Sequence, residues 1–449
     1  MINNKKIFFF LILLLLNSCS FDSKTGIWGD KEKEAKRVSE LEKKQKQILG
    51  IQKVFSSEIT YNLKKSLSQK INLSKPKINS KWLSSNLNNK NFLGNIYLTG
   101  SNNKFLKKKI GKNKFPIRKA MSPLLASNNN LIVSDDMGTI FSFDIEGKIN
   151  WKKNIYKKIY KRIYKNLIFS IYNNNIYVAD NIGFIYSINL HTGKIIWIKN
   201  YGIPIKSNIQ VFENQMFLID QDNKIMCLDI NDGSLVWDVL SISSFIKTQN
   251  LLSLAISNNE DLFAMTSSAD LFKINIKSGR VVWSRNVAES LYSNATDFFA
   301  SSQLVIDNNK ILFSAGYSFF SYDILSGNVD WVVDLDCVGT PIVDGENIFI
   351  VTKNGYFVIL DKKTGSIISS NNIFDSLKEK KQNTKVINFI MGSGKIYAAT
   401  LNGYLIIISA TTGKVISHDS IGHPIISPFI INNGALYLYT EQSKIIGFK

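Results

Sequence analysis

The chain has 449 residues, with 55 Lys and Arg against 35 Asp and Glu, and a formal net charge of +20. Hydrophobic residues make up 45% of it, which excludes a mostly disordered protein. Its 3 Cys and 3 His are too few for a disulfide scaffold, a zinc ribbon or a four-ligand Cys/His cage, and its 7 Pro exclude a Pro-rich linker protein.

The N-terminus combines a short positive stretch with an apolar run. Lys5 and Lys6 precede residues 7–16, which are all apolar. A membrane-spanning helix needs about 20 residues, so this run has the length of a signal-peptide core rather than of a span. We therefore expect residues 1–18 to be a signal peptide.

The apolar run ends at a motif that contains the first cysteine. Leu16-Asn17-Ser18-Cys19 resembles the bacterial lipobox, in which the signal peptide is cut before a cysteine that carries acyl chains. The resemblance implies a lipoprotein with Cys19 acylated, palmitate included, and attached to a membrane. Ser20 stands where an aspartate favours inner-membrane retention, which implies the periplasmic face of the outer membrane. The alternative is an ordinary signal peptide with an incidental cysteine.

Residues 19–75 differ in composition from the rest of the chain. Residues 29–47 are crowded with Lys, Glu and Gln and contain no aromatic residue. Such a stretch cannot bury a core, and it forms either a solvated helix or a disordered spacer. We expect residues 19–75 to be a tether between the lipid and the folded body.

From about residue 120 onward the sequence repeats. A Gly turn recurs at intervals of 38 to 48 residues, and each of the first five turns has a Trp four residues after the Gly. The glycines are Gly147, Gly193, Gly233, Gly279, Gly327, Gly365 and Gly413. The tryptophans are Trp151, Trp197, Trp237, Trp283 and Trp331, with Ser369 and Ser417 in the last two units. This period, built from short runs rich in Ile, Tyr and Phe between Asn, Asp and Gly, predicts a β-propeller.

The count of units predicts an all-β fold of eight four-stranded antiparallel blades over residues 76–449. Residues 414–449 supply only three strands of the eighth blade, so an N-terminal strand must close the ring. The segment Ile78–Leu83, with Trp82, is the candidate for that strand. We expect Trp82 and the five repeat tryptophans to dock neighbouring blades.

The turn pattern (Asp/Asn)-x-x-(Thr/Ser)-Gly-Lys-x-x-Trp resembles the tryptophan-docking motif of propellers of the PQQ type. Asp229–Trp237 and Asp323–Trp331 carry most of it, and Asn189–Trp197 and Asn275–Trp283 are close. With a lipobox, a tether and eight blades, the chain resembles the BamB family of the β-barrel assembly machinery. The resemblance implies a non-enzymatic scaffold without a cofactor, which binds BamA and assists nascent outer-membrane proteins.

The resemblance also implies where such a partner binds. In this family the BamA contact lies on connections between blades in the middle of the chain. The matching stretch after Trp237 contains Phe245, Ile246 and Lys247, and the matching acidic position one blade later is Asp297. The alternative is that Phe245 and Ile246 belong to the core of the next strand.

Two other functions compete with this interpretation. A PQQ-dependent dehydrogenase needs calcium ligands at the ring axis, and several such enzymes carry adjacent cysteines, which this chain lacks. Asp135, Asp136 and Asp180 are each expected to serve in strand-end turns, and Asp334 and Asp336 follow a Trp strand. The other competitor is a periplasmic propeller that binds a different envelope partner. His191, His418 and His423 do not form a metal motif.

Two runs, 104–119 and 152–165, are strongly basic, and the second has Ile-Tyr pairs between its Lys and Arg residues. Basic runs with aromatic residues can bind nucleic acid, but a secreted lipoprotein meets phospholipid headgroups or acidic proteins instead. The simplest interpretation is solvated outer strands; the second run also suits a short amphipathic helix.

Cys227 and Cys337 lie in apolar strands and are expected to be buried free thiols rather than a disulfide.

Overall fold

The computed structural model describes residues 65–112, 114, 124–160, 163–241, 251–287, 300–377, 384–425 and 427–449. It contains eight antiparallel sheets; in seven of them four strands follow chain order from inside to outside, and in the eighth an N-terminal strand takes the outermost place. The predicted all-β propeller of eight blades is confirmed. Two strands precede the blades, β1 (Lys81–Trp82) and β2 (Lys104–Lys109).

The strands of the first four blades follow the repeat. Blades 1 and 2 contain β3 (Leu125–Ser127), β4 (Asn130–Ser134), β5 (Thr139–Asp144), β6 (Ile149–Asn154), β7 (Leu167–Tyr172), β8 (Asn175–Asp180), β9 (Phe184–Asn189) and β10 (Ile195–Asn200). Blades 3 and 4 contain β11 (Gln210–Phe212), β12 (Gln215–Ile219), β13 (Lys224–Asp229), β14 (Leu235–Leu240), β15 (Ser253–Ile256), β16 (Asp261–Met265), β17 (Asp270–Asn275) and β18 (Val281–Asn286).

The last four blades repeat the same order. Blades 5 and 6 contain β19 (Val305–Asp307), β20 (Lys310–Ala315), β21 (Ser318–Asp323), β22 (Val329–Val333), β23 (Ile342–Asp344), β24 (Asn347–Val351), β25 (Tyr356–Asp361) and β26 (Ile367–Asn372). Blades 7 and 8 contain β27 (Val386–Gly392), β28 (Lys395–Thr400), β29 (Tyr404–Ser409), β30 (Val415–Ser420), β31 (Ile430–Asn432), β32 (Ala435–Tyr439) and β33 (Lys444–Phe448). Among the described residues, two short 3-10 helices span Lys158–Tyr160 and Ile373–Ser376.

The core lies between neighbouring blades. Phe263 and Met265 of blade 4 pack with Ile311 and Phe313 of blade 5 in one buried cluster. The inner three strands of each blade are apolar on both faces because both faces meet another blade, whereas the outermost strands are largely exposed. No helix in the described ranges is long and apolar enough to cross a membrane.

An N-terminal strand does close the ring, but the segment predicted for this role is wrong. The fourth strand of blade 8 is β2, which pairs with β33, for example Lys108 opposite Ile445. β1 instead adds a fifth strand to the inner edge of blade 1, with Trp82 opposite Ala126. Burial explains the difference: Trp82 is 2% exposed and suits the inside of the ring, whereas the lysines of β2 need the solvated outermost position.

The segment that carries β1 covers one face of the ring. Residues 71–99 contact the turns between the first and second strands of the blades; for example, Asn79 O accepts from Asn433 N in blade 8, and Lys90 O accepts from Ile306 N in blade 5. We call this segment the axial cap and this side the capped face. The described chain is already bonded to blade 6 at Lys65, ten residues before the composition changes at 75.

The connections from the outermost strand of one blade to the next blade lie on the opposite face. Backbone N–H groups of these connections donate to the turns between the second and third strands, as Tyr201 N does to Gly183 O and Val287 N to Ala269 O. We call this side the loop face.

Cys227 and Cys337 are both free and buried. The second basic run begins on β6, an outermost strand as expected, and continues into the 3-10 helix at Lys158–Tyr160. That helix has three residues, none of them buried, and does not form the amphipathic helix that was the alternative.

Candidate partner-binding site

Five tryptophans join five pairs of blades into a rigid rim. Each indole Nε1 donates to a backbone carbonyl of the next blade at 2.9 to 3.2 Å. Trp237, for example, donates to Ile276 O and lies against Gly279 of the following turn. The same contact recurs for Trp151, Trp197, Trp283 and Trp331. A site built on loops between these blades therefore stands on a fixed frame.

Two outermost strands without a repeat tryptophan make other contacts. In blade 6, where Ser369 replaces the tryptophan, Lys65 pairs with the outermost strand through two backbone hydrogen bonds to Ser370, each 3.0 Å long. In blade 8, Leu106 of β2 lies against Gly147 of blade 1, the position that an indole fills elsewhere. Trp82, in the inner edge strand, does not take part in this pattern, and its Nε1 has no hydrogen-bond partner. Leu106 was not identified from the sequence because it lies outside the repeat.

The residues predicted to bind the partner, Phe245, Ile246, Lys247 and Asp297, lie outside the described residues, as does Cys19. The structure does describe the residues that flank both stretches. Ser241 precedes residues 242–250, and Val287 precedes residues 288–299. Both flanking residues leave outermost strands on the loop face, one from blade 3 and one from blade 4. The two stretches therefore start from neighbouring blades on one side of the ring.

One carboxylate ties these two starting points together. Asp270, the first residue of β17, accepts from Ser241 Oγ through Oδ2 at 2.7 Å. Its other oxygen, Oδ1, accepts from Asn286 Nδ2, also at 2.7 Å. Asn286 ends β18, immediately before Val287. Asp270 thus accepts one hydrogen bond from the stem of each stretch and joins the two stems through a single side chain.

A buried asparagine anchors the same region to the rest of the ring. Asn223, fully buried at a positive φ of 66°, accepts from Ser267 N at 2.9 Å and donates to Ser268 Oγ at 2.8 Å. These contacts join the loop-face turn of blade 3 to that of blade 4. Sequence reasoning missed Asn223 and Asp270, since a polar contact between blades leaves no periodic pattern; the available signal is an Asn at a turn position that requires positive φ.

The surface beside these stems carries both charge and exposed apolar area. Leu240, next to Ser241, is 69% exposed. Lys224 and Asp238 form an ion pair of 2.7 Å on blade 3, and hydrogen bonding to Asp238 raises the pKa of Lys224. Burial raises the pKa of Asp220 on the neighbouring turn, and backbone N–H groups oppose that shift. An apolar anchor flanked by charges is the usual composition of a protein contact.

The carboxylates considered for calcium have hydrogen-bond partners within the protein, and two of them act locally. Asp135 accepts from the backbone N–H groups of Met137 and Thr139, and Asp180 accepts from those of Phe184 and its two preceding residues. Each of these two carboxylates thus closes its own strand-end turn. Asp136 and Asp336 instead accept from more distant backbone, Lys114 N at 2.6 Å and Lys353 N at 3.0 Å. Within the described ranges no three His, Cys, Asp or Glu side chains are grouped so that they could hold a metal ion. His423 Nε2 lies 3.5 Å from Lys444 Nζ, and an ammonium group there disfavours a second cation.

A cleft of about 790 Å³ lies on the capped face, between the axial cap and blades 2 to 5. Its walls include Leu87 and Phe92 from the cap and Phe212, Ile256 and Ile306 from the blades. It therefore lies on the other side of the ring from the stems joined by Asp270.

Comparisons with known proteins agree with this architecture. The chain is 24% identical over 185 residues to the outer membrane protein assembly factor BamB of Shewanella oneidensis, an alignment that covers 38% of this chain and 44% of that relative. The aligned part thus spans less than half of the relative's length.

Two solved structures share the fold. BamB from Moraxella catarrhalis superposes with a TM-score of 0.62 at 14% identity, covering 77% of this chain and 100% of that one. A europium-containing methanol dehydrogenase superposes with a TM-score of 0.59 at 11% identity, covering 80% of this chain and 90% of that one. At these identities the likeness is one of fold.

A sequence profile provides the decisive comparison. The profile of the family described as outer membrane protein assembly factor BamB matches residues 136–371, more than half of the chain, from the first blade into β26 of the sixth. The matched range contains all five docking tryptophans and the stems joined by Asp270. The chain belongs to the BamB family of outer membrane protein assembly factors.

Proposed function

We propose that this protein is a non-enzymatic scaffold lipoprotein of the β-barrel assembly machinery. It binds a BamA-like barrel assembly protein through the loop face of blades 3 to 5 and assists the folding and insertion of nascent outer-membrane proteins. The observation that carries the proposal is the pair of hydrogen bonds to Asp270, which joins the stems of the two predicted partner-binding stretches in a chain of this family.

The frame around the stems explains how such a site gains affinity. Trp237 fixes blade 3 on blade 4, and Trp283 fixes blade 4 on blade 5. A surface that is ordered before the partner arrives loses less entropy on binding. Phe245 and Ile246 supply the apolar anchor, while Lys247 sets register and speeds encounter with an acidic partner surface.

Attachment to the membrane follows from the N-terminus. Acylation of Cys19 anchors the chain to the periplasmic face of the outer membrane, since two or three acyl chains give stable binding. The residues between Cys19 and Lys65 connect that lipid to blade 6, where the described chain begins. The scaffold thus stays within reach of a membrane-embedded partner.

Co-purification tests this proposal. A tagged full chain, isolated from solubilised outer membrane of its own host, is expected to bring down a BamA-like protein in stoichiometric amount, identified by mass spectrometry. Recovery of a different envelope protein, or of peptidoglycan, without the BamA-like protein would contradict the proposal.

The dehydrogenase alternative has its own readout. Two of the carboxylates that were candidates for calcium, Asp135 and Asp180, instead accept hydrogen bonds from their own turns. We therefore expect purified protein to show neither quinone absorbance nor tightly bound calcium. A quinone spectrum with alcohol-dependent dye reduction would establish the enzyme and overturn the scaffold assignment.

A further inference from the structure

The outer rim of blades 8 and 1 concentrates positive charge. Residues 104–114, on β2 and just beyond it, and residues 148–158, on β6 and its flanks, contain eleven lysines and no Asp or Glu. All eleven lysines are exposed, and none forms an ion pair with a carboxylate of the described chain. We call these two stretches the basic rim.

The two stretches form one continuous surface. A Cβ placed on Gly147, in the turn before β6, would lie 3.0 Å from Leu106 Cδ1 and 3.2 Å from Lys108 Cδ. β2 therefore packs directly against the turn that leads into β6. The lysines of both strands are exposed to solvent.

Other outermost strands are built differently. In blade 3, Lys224 is paired with Asp238 on β14, and in blade 5, Lys310 is paired with Asp330 on β22 at 2.6 Å. Neither β14 nor β22 contains a lysine. The positive charge of the basic rim is thus a local feature and not a property of every blade.

Large apolar side chains are exposed among these lysines and just beyond residue 158. Ile159 is 79% exposed, Ile163 46%, Ile149 42% and Phe105 36%. Ile159 lies on the 3-10 helix, directly after Lys157 and Lys158 in sequence. Lysines beside exposed Ile and Phe are typical of surfaces that lie in the headgroup region, where the cations meet phosphate and the apolar groups enter the acyl boundary.

We propose that the basic rim is a docking surface for an anionic phospholipid membrane. A membrane accounts for both features, since it satisfies unpaired lysines and removes exposed isoleucines from water, whereas an acidic protein surface accounts only for the charge. The inference does not depend on the partner proposed above. In a ring of eight, blade 4 is four places from blade 8, so membrane contact leaves the stems joined by Asp270 accessible.

Site-specific quenching tests the proposal on the full chain. Ile149→Cys places a fluorophore in the basic rim, and Val281→Cys places one at the equivalent repeat position of blade 4. Cys227 and Cys337 label slowly because burial raises the pKa of both thiols, and the unsubstituted chain gives the background from Cys19. Vesicles contain headgroup nitroxide lipid in either neutral phosphatidylcholine or a mixture with phosphatidylglycerol.

On anionic vesicles we expect quenching at position 149 to exceed that at position 281 by at least about threefold. The excess should vanish on neutral vesicles and in 1 M salt, where the Debye length falls to about 3 Å. Lys107→Glu, Lys109→Glu and Lys152→Glu together should abolish it. The matched reversals Lys363→Glu, Lys395→Glu and Lys414→Glu, on exposed lysines of blades 6 and 7, should leave it intact. Equal quenching at both positions, or equal loss with both triple variants, would overturn the proposal.

Discussion

The indole ring of Trp237 lies directly over Gly279 of the next blade, and a Cβ on that glycine would come within 2.7 Å of Trp237 Cδ2. The same indole donates through Nε1 to Ile276 O at 2.9 Å. Gly279 has a φ of +68°, which L-residues rarely adopt. Position 279 therefore requires glycine for two reasons: its backbone conformation is left-handed, and the indole ring leaves no room for a Cβ.

These two requirements can be separated by two substitutions. Gly279→Ala should lower the free energy of unfolding by about 2–4 kcal/mol, because left-handed strain adds to a clash with Trp237. Gly202→Ala, at a φ of +75° with no atom within 4 Å of the new Cβ, should cost only the strain, about 1 kcal/mol. Urea unfolding of both variants measures the difference. Equal losses would show that the indole contact does not restrict this turn.

The axial cap is held by Asn91, which is fully buried and lies at a φ of +54°. Its Nδ2 donates to Leu254 O of blade 4 at 2.9 Å and to Leu304 O before blade 5 at 2.8 Å. Asn91→Ala should lower the free energy of unfolding by about 3 kcal/mol, since buried carbonyls lose their donors. Asn150→Ala, which removes one exposed hydrogen bond to Asn130, should change it by less than about 0.5 kcal/mol. If Asn91→Ala and Asn150→Ala lowered the free energy of unfolding by the same small amount, Asn91 would not hold the axial cap.

Ring closure by β2 predicts how N-terminal truncation acts. A chain that starts at residue 61 should remain a folded monomer. A chain that starts at residue 104 loses the axial cap and β1 but keeps β2, so it should be less stable and still monomeric. A chain that starts at residue 113 leaves β33 as an exposed edge and should associate. Light scattering after size exclusion distinguishes these states, and identical behaviour of the last two chains would contradict closure by β2.

The repeat was sufficient to predict the number of blades, because each Gly turn and its tryptophan belong to one blade. The closing strand was misassigned because Trp82 matches the repeat tryptophans in residue type but not in burial. The axial cap has no periodic pattern: its asparagines bind strand ends across the ring, as Asn91 does, and such long-range polar contacts leave no local signal. The connections of the candidate site came from family resemblance, whereas Asp270 was visible only in three dimensions.

The lipid anchor stays a prediction, since Cys19 is outside the described residues. We expect the mature chain to begin at an acylated Cys19, detectable by mass spectrometry of the N-terminal peptide. Cys19→Ala should release the protein into the soluble periplasmic fraction, because no acyl chain then holds it in the bilayer. An unmodified N-terminus at another residue would contradict the lipobox.

The most direct test of the scaffold proposal compares two charge variants in the same co-purification. Ile246→Glu with Lys247→Glu changes the predicted contact, and Ile198→Glu with Lys199→Glu changes an identical, exposed Ile-Lys pair on β10 of blade 2. We predict that the first variant loses the BamA-like protein and the second retains it, with both thermal melts close to that of the original chain. A normally folded first variant that still recovers the BamA-like protein, or one whose melting temperature falls because Ile246 is a core residue, would contradict the proposed contact.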